Sequence, residues 1–278
     1  MDNKLKPIIK FAVCLALSLI AYIPTIWWMA DRWFAKESYY SHGVLIPLVS
    51  LFIIWQRRDG LKKIKIAGNI WGLWIVAACL LVHTICAALR IYFLSGFSLV
   101  FVIYGLVLFF FGKEMVRKLI FPVFFLFAMI PLPLAIISSL TVKLKLFATQ
   151  LSVFVLNRIG FPCMQDGSFI RMPASTLEVA APCSGLRSII SLVTLGLIFA
   201  YAAKVSVVKK SIIFLSTIPI AIATNMMRIV LVAIINDLYG EKAALGFFHD
   251  FTGFLVFAVA FLCLLGVSKM VGVKQVEI

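Results

Sequence analysis

Residues 178–188 read Glu-Val-Ala-Ala-Pro-Cys-Ser-Gly-Leu-Arg-Ser and place a thiol at the mouth of a long apolar run. Because that run extends over about 184–203, the sequence predicts that Cys183 lies at or just before a helix start. Backbone N–H groups and the positive end of the helix dipole favour a thiolate at such a position. Gly185 lets other groups approach the backbone closely, and Arg187 lies one turn beyond Cys183. These residue types suit nucleophilic chemistry.

The same cysteine has two structural interpretations. A cysteine is more often a small buried side chain than a reactive one, so Cys183 could simply pack at the end of a helix. It could also form a disulfide with Cys163 if both residues lie on the oxidising side of a membrane.

Three polar residues in later segments could act on a thiol. Arg228 lies inside an apolar run, and an ionisable residue there usually has a function because its burial is costly. Asn225 precedes it by three residues, which places both side chains on one helix face. His249 comes just before another apolar run. The alternatives are that Arg228 pairs with an acidic residue (Asp237 or Asp250) to hold helices together, and that His249 is an interfacial hydrogen-bonding residue.

The remaining candidates are weaker. His42, in Ser-His-Gly at 41–43, could line the site or cap a helix, and His83 is expected to be a packed, hydrogen-bonded histidine. No cysteine pair has metal-ligand spacing and no glycine-rich phosphate loop is present, so neither a metal nor another cofactor is predicted.

Composition places these residues in a membrane protein. The chain has 278 residues, of which 63% are hydrophobic and 13% charged, with a mean hydropathy of +1.10. Such a composition requires surrounding lipid. The net charge of +15 does not indicate nucleic-acid binding, because the basic residues cluster in short connections between apolar runs. The first run is not followed by a small-residue cleavage site, so no cleavable signal peptide is expected.

The pattern predicts an all-α integral membrane protein with a single multi-pass domain over 1–278. Its eight predicted spans cover about 8–30, 43–56, 70–89, 96–112, 119–137, 184–203, 211–235 and 251–268, the second being short for a bilayer. The segment 138–182 is predicted to lie outside the bilayer, with an interfacial helix over 138–160 and then a short polar hairpin whose turn is at 165–168.

The basic connections predict the orientation of these spans. The strongest basic cluster, at 57–65, falls on the cytoplasmic side if both termini are cytoplasmic and all eight runs span. In that arrangement Cys183, Arg228 and His249 all lie toward the outer face of the membrane. The sequence therefore predicts one outward-facing site built from three separate helices.

The motifs resemble those of the exosortase/archaeosortase family of membrane transpeptidases. The resemblance is carried by Pro-Cys-Ser-Gly-Leu-Arg-Ser at 182–188, by the segment 219–228 that ends in Asn-Met-Met-Arg, and by His249 with Gly253 after it. Ser-His-Gly at 41–43, Phe-Pro at 121–122 and Ile-Pro-Leu-Pro at 130–133 also look like the family. The resemblance covers roughly residues 30–265, and the three main motifs in this order are highly specific together.

The resemblance implies a cysteine enzyme of a prokaryotic cytoplasmic membrane. Its partners would be exported proteins with a C-terminal sorting signal, made of a short motif, a transmembrane helix and a basic tail. Cys183 would be the nucleophile that forms a thioester, His249 the general base and acid, and Arg228 the group that stabilises the thiolate or the oxyanion. The residues that would orient the substrate or these groups are Asn225, Arg187, Ser184 and His42.

Two other classes of function remain open from the sequence. A thiol–disulfide exchange protein would use Cys163 and Cys183 as a redox pair, and replacing Cys163 separates that function from peptidase activity. A small-solute transporter would also bury Arg228, but transporters place such groups near the midplane, on broken helices in repeated halves.

Overall fold

The computed structural model describes residues 5–240, 242–243 and 247–273, apart from the side chains of 181–182 and 247–250. These residues are mainly helical. In chain order the α-helices are α1 (Leu5–Ala21), α2 (Ile23–Trp33), α3 (Leu45–Gln56), α4 (Arg58–Lys62), α5 (Trp71–Ala88), α6 (Tyr92–Phe111), α7 (Lys113–Phe125), α8 (Leu134–Arg158), α9 (Leu186–Ala202), α10 (Val207–Tyr239) and α11 (Phe247–Met270). Short 3-10 helices cover Ser41–Val44, Leu126–Met129 and Ala181–Ser184. The chain divides into two compact units, Met1–Pro133 and Leu134–Ile278.

The first unit contains α1 to α7 and is organised around the close α5–α6 pair. Gly72 lies against the backbone of Gly105 and Phe109, where a Cβ atom has no room. Small residues at such a crossing let two helix backbones approach in a membrane protein. His83 of α5 is packed and hydrogen-bonded as predicted, with Nδ1 2.7 Å from Ser95 Oγ and Nε2 3.1 Å from Ala21 O.

We expect the Gly72→Ala variant to be less stable than the parent protein by about 1–3 kcal/mol, because the added methyl group forces α5 away from α6. Thermal unfolding in detergent measures the difference. Gly60→Ala is the matched control, since a Cβ atom at Gly60 meets nothing within 4 Å. Equal unfolding temperatures for the two variants would contradict the tight α5–α6 crossing.

The second unit contains α8 to α11 and a small antiparallel sheet. Strands β1 (Met164–Asp166), β2 (Phe169–Arg171) and β3 (Thr176–Glu178) pair in the order β1-β2-β3. The predicted polar hairpin is thus present, with Gly167 at a φ of +59° in its turn, and β3 extends it. α10 is the longest helix at 33 residues and packs against α8, α9 and α11. The sheet and α10 therefore flank the segment that carries Cys183.

The helices support several membrane crossings, but the predicted count of eight is not confirmed. Five helices are long and apolar enough to cross a bilayer, namely α5, α6, α8, α10 and the 251–270 part of α11. The pair α1–α2, bent by 67°, passes the same test as one unit. The chain is therefore a multi-pass membrane protein with five such helices, or six with the bent pair, among the residues described.

Three predicted spans differ from the observed helices. The run at 43–56 forms a 12-residue helix after a 3-10 turn, and the run at 184–203 forms the 17-residue α9. The run at 119–137 is divided, because α7 ends at Phe125 and an irregular segment with two prolines precedes α8. The predicted interfacial helix is also unconfirmed. That segment belongs to α8, whose 25 residues are long and apolar enough to cross a membrane despite Lys143 and Lys145.

Candidate functional site

The site is built on the segment that joins β3 to α9. Backbone hydrogen bonds fix its entry, since Val179 N donates to Ser168 O at 2.9 Å and Cys183 N donates to Ala180 O at 2.9 Å. Cys183 lies in the 3-10 turn Ala181–Ser184, and α9 begins three residues after it. The sequence thus placed the cysteine correctly, just before a helix.

Gly185 forms the junction between this turn and α9. Its φ of +81° lies in the left-handed region, which L-residues adopt only at a cost. The Asn225 side chain packs directly on it, and a Cβ atom on Gly185 would lie 2.9 Å from Asn225 Cγ. The close approach that the sequence predicted at this glycine is therefore made by a side chain of α10.

Asn225 holds the cysteine backbone in place. It is 2% exposed, and its Nδ2 donates a hydrogen bond to Cys183 O at 2.9 Å. A buried amide bonded in this way fixes the two segments relative to each other, because breaking the bond leaves buried polar groups unsatisfied. Of the predicted orienting residues, Asn225 thus orients the backbone of Cys183. Sequence spacing alone carries no signal for this particular bond.

Arg228 and Cys183 line one small cavity. The cavity has a volume of about 30 Å³, and its walls also include Glu178, Val179 and Ile229. That space holds about one water-sized group, such as a carbonyl. The sequence did not single out the 177–180 strand end as part of the wall. The alternation of apolar and polar residues in this segment is typical of a strand and was the signal that could have indicated it.

Burial and charge act in opposite directions on the Cys183 thiol. The residue is 9% exposed, and burial raises the pKa of the Cys183 thiol above its usual value. The positive charge of Arg228 lowers that pKa, but by less. The expectation that the helix start alone would favour a thiolate is therefore wrong, because desolvation of the charged form outweighs it. Deprotonation at this position calls for a base.

The two other polar residues of the cysteine motif have different environments. Ser184 is 3% exposed, and its Oγ accepts a hydrogen bond from Leu186 N at 3.4 Å, which ties the turn to the first residue of α9. Arg187 is half-buried, and its Nε has no hydrogen-bond partner among the residues that the structure describes. Ser184 thus has a structural role in the turn, whereas Arg187 keeps a donor available.

His249 is the third predicted catalytic residue. Its backbone lies in the first turn of α11, as expected, but its side chain and that of Asp250 are outside the described part of the structure. Gly253, one helical turn later, faces the guanidinium of Arg228, since a Cβ atom there would lie 3.5 Å from an Arg228 Nη atom. Asp237, an alternative partner for Arg228, accepts a hydrogen bond from Ser175 Oγ at 3.1 Å.

His42 lies in the first unit. Its ring stacks on Tyr40 with the centroids 6.0 Å apart, and burial lowers the pKa of His42. Neighbouring Gly43 packs on the Trp33 indole, whose Nε1 donates to Met129 O at 2.8 Å. The segments 41–43 and 126–133 therefore meet within that unit.

All six cysteines lie in the described ranges, and none forms a disulfide. Cys163 is buried, and its Sγ lies 3.8 Å from Val153 O as a weak donor. The alternative interpretation, in which Cys163 and Cys183 form a disulfide, is therefore not supported.

Comparison with known families identifies the chain. Searches of curated proteins and of solved structures found no match. The family model described as transmembrane exosortase (Exosortase_EpsH) matches residues 27–266, which is most of the chain and includes the segments with Cys183, Arg228 and His249. The resemblance seen in the motifs is confirmed, and the chain belongs to the transmembrane exosortase family, a family of membrane transpeptidases.

Proposed function

We propose that this protein is a membrane cysteine transpeptidase that cleaves the C-terminal sorting signals of exported proteins through a thioester intermediate. One observation carries the proposal: a cysteine and an arginine from separate elements line the same cavity in a chain of this family. A thiol beside a cation, in a space of carbonyl size, is suited to acyl transfer.

In the first step, the Cys183 sulfur attacks the scissile carbonyl carbon. The S–C bond forms and the carbonyl π electrons move to oxygen, which becomes an oxyanion. When the carbonyl re-forms, the C–N bond breaks, the amine leaves with a proton from the general acid, and the acyl group remains on Cys183 as a thioester. An acceptor nucleophile then attacks that thioester and releases the thiol.

Arg228 has two roles in this scheme. Its charge lowers the pKa of Cys183 and thereby offsets part of the cost of forming a buried thiolate. The same charge stabilises the oxyanion that forms beside it. In a site shielded from water such an interaction is stronger than in solution.

His249 is the proposed general base and acid. A base is needed because the pKa of the Cys183 thiol is raised. The second unit has one histidine in its sequence, which is His249. Support for the assignment comes from Gly253, which follows His249 by one helical turn and faces Arg228. His249 would take the thiol proton and return it to the leaving amine.

The remaining candidates position the substrate or the nucleophile. Asn225, bonded to the Cys183 carbonyl, and Ser184, bonded to Leu186 N, hold the nucleophile. Arg187 has a donor that could bind a substrate carbonyl or carboxylate. His42 is a proposed substrate-orienting residue, in its neutral form at neutral pH because burial lowers its pKa.

The proposed topology keeps eight crossings, with both termini in the cytoplasm and the site at the outer face of a prokaryotic cytoplasmic membrane. α10 supports this arrangement. Lys209 and Lys210 lie in its first turn, whereas Arg228 lies 21 positions after Val207, about 30 Å away by helix rise and hence about one hydrocarbon thickness. The basic end and the site therefore belong at opposite surfaces.

The proposal is tested by trapping the acyl-enzyme. The purified protein is mixed with a reporter that ends in a sorting motif, an apolar helix and a basic tail, and is then quenched in acid. Intact mass spectrometry should find the acyl adduct on Cys183, and neutral hydroxylamine should release it, as expected of a thioester. Reporter cleavage without an adduct that hydroxylamine removes would contradict covalent catalysis by cysteine.

The thiol–disulfide alternative makes a different prediction. A redox pair needs both cysteines, so Cys163→Ser would remove that activity while leaving the transpeptidase active. Loss of reporter cleavage in well-folded Cys163→Ser would favour the redox function.

We expect Gly185→Ala to lower the cleavage rate about 100-fold, because the methyl group pushes Asn225 away and displaces Cys183, to which Asn225 is bonded. Gly160→Ala is the control. It also has a positive φ, +92°, but a Cβ atom there meets nothing within 4 Å. Reporter cleavage and thermal unfolding are measured for both. Equal activity in the two variants would show that the Gly185–Asn225 contact does not position the thiol.

A further inference from the structure

The first unit contains a large apolar groove that the proposed reaction does not use. Its volume is about 920 Å³, near the upper end of the range for ligand pockets, and its walls come mainly from α1, α3, α4, α6 and α7. Except for Ser50, the Trp55 indole, Arg58 and Lys62, all described lining side chains are apolar. The polar groups are therefore few and their positions are informative.

The two cations lie at one end of the groove. Arg58 stacks on the Trp55 ring at 4.5 Å, and Lys62 lies 3.5 Å from Asp59 with 73% of its side chain exposed. The start of α1 is at the same end, because the Phe11 and Phe111 rings are 5.1 Å apart and Ala67 N donates to Phe111 O. This end is strongly basic, although Asp59 reduces its charge.

The groove is about half as long as a membrane crossing. On α1 it extends from Ile8 to Leu19, which corresponds to about 17 Å of helix rise. The hydrocarbon core of a bilayer is about 30 Å thick, so the groove matches one leaflet. A transmembrane peptide helix needs the full thickness, whereas the acyl chains of one lipid need one leaflet.

A buried hydroxyl in the wall also indicates a ligand. Ser50 of α3 is a 4% exposed residue of the groove wall, and its buried Oγ has no hydrogen-bond partner among the described residues. Buried hydroxyls normally have a partner. An ester carbonyl of a glycerolipid could accept a hydrogen bond from this hydroxyl after a small side-chain rotation.

We propose that this groove binds one anionic glycerophospholipid from the leaflet next to the 57–65 segment, with its phosphate at Arg58 and Lys62. Charge decides against the other occupant that fits an apolar groove, an exported protein's transmembrane helix with a basic tail. That tail would be placed against two cations, whereas a phosphate is attracted to them. The proposal does not depend on the proposed transpeptidase activity.

Native mass spectrometry of the full chain in neutral detergent tests the site, with phosphatidylglycerol and phosphatidylcholine of identical acyl chains as probes. We expect phosphatidylglycerol to bind about tenfold more tightly, since each nearby cation contributes about a fivefold effect and Asp59 offsets part of it. The double variant Arg58→Gln/Lys62→Gln should lose this preference. Lys63→Gln/Lys65→Gln, with the same charge change outside the groove, should keep it.

Ser50→Ala provides a second variant with little effect on packing, and it should weaken binding of both lipids about threefold. Equal binding of the two lipids, an equal loss in both charge variants, or displacement of phosphatidylglycerol by an apolar helix with a basic tail would each overturn the proposal.

Discussion

Cys183→Ala should abolish cleavage of a sorting-signal reporter, with a loss of at least about 10⁴-fold. A nucleophile that forms the acyl intermediate cannot be replaced by other residues of the site, so no residual covalent route remains. The expected result is full-length reporter in membranes that contain the variant at the parent level. Reporter cleavage is followed by the mobility of its tag on a gel.

Cys163→Ala is the matched control for this change. Both cysteines are buried in the same apolar cluster of the second unit, so both variants lose a similar amount of packing. Because Cys163 does not line the Arg228 cavity, its replacement should leave cleavage within about twofold of the parent rate. Cleavage that persists in Cys183→Ala would refute the transpeptidase mechanism.

Arg228→Gln should reduce the cleavage rate about 10²- to 10³-fold, the effect of removing one oxyanion-stabilising group. Arg228→Lys should recover part of the rate, since it keeps the charge but not the planar guanidinium. Arg158→Gln is the control, because it removes an exposed arginine of the same unit that lies over the Phe154 ring.

Arg228→Gln should also change the pKa of the Cys183 thiol, an effect that can be measured without a substrate. Arg228 lowers the pKa of Cys183, so its removal raises that pKa and less thiolate is present at any given pH. The pH profile of Cys183 alkylation by a small reagent, measured with the other five cysteines replaced, should shift to higher pH in Arg228→Gln. An unchanged profile would show that Arg228 does not act on the thiol.

The sequence predicted the position of Cys183 better than its chemistry. An apolar run after a Cys-Ser-Gly motif is a local pattern, so the helix start could be recognised from it. The pKa of the thiol depends on side chains far away in sequence that bury it, and their packing follows from the fold. The direction predicted from the helix start was therefore reversed.

The membrane spans also differ in how well the sequence predicts them. Long, uniformly apolar runs, such as those of α5, α6 and α10, were predicted close to their observed bounds, although α10 contains Pro219. The runs at 43–56 and 119–137 were less predictable, because hydropathy averages over a window and does not show where a helix breaks. Pro131 and Pro133 accordingly separate α7 from α8 inside an apolar stretch.

The bond between Asn225 and Cys183 has no counterpart in local sequence patterns. The spacing of Asn225 and Arg228 showed that they share a helix face, but not which backbone group that face contacts. The two bonded residues are 42 positions apart in the sequence, and the packing of α9 on α10 brings them together. Such a contact requires the tertiary structure.

The attachment of the cysteine segment to α10 determines where the chain tolerates changes in length. Ser175 is bonded to Asp237 and Cys183 to Asn225, so both ends of the 175–183 segment are fixed to one helix. Extra residues in the β1–β2 turn, before the first attachment, would extend into solvent and leave the thiol in register with Arg228. A single residue inserted between Ser175 and Cys183 would have to form a bulge, because both of these residues are bonded to α10. The length of the hairpin can therefore vary, whereas the number of residues from Ser175 to Cys183 is held constant.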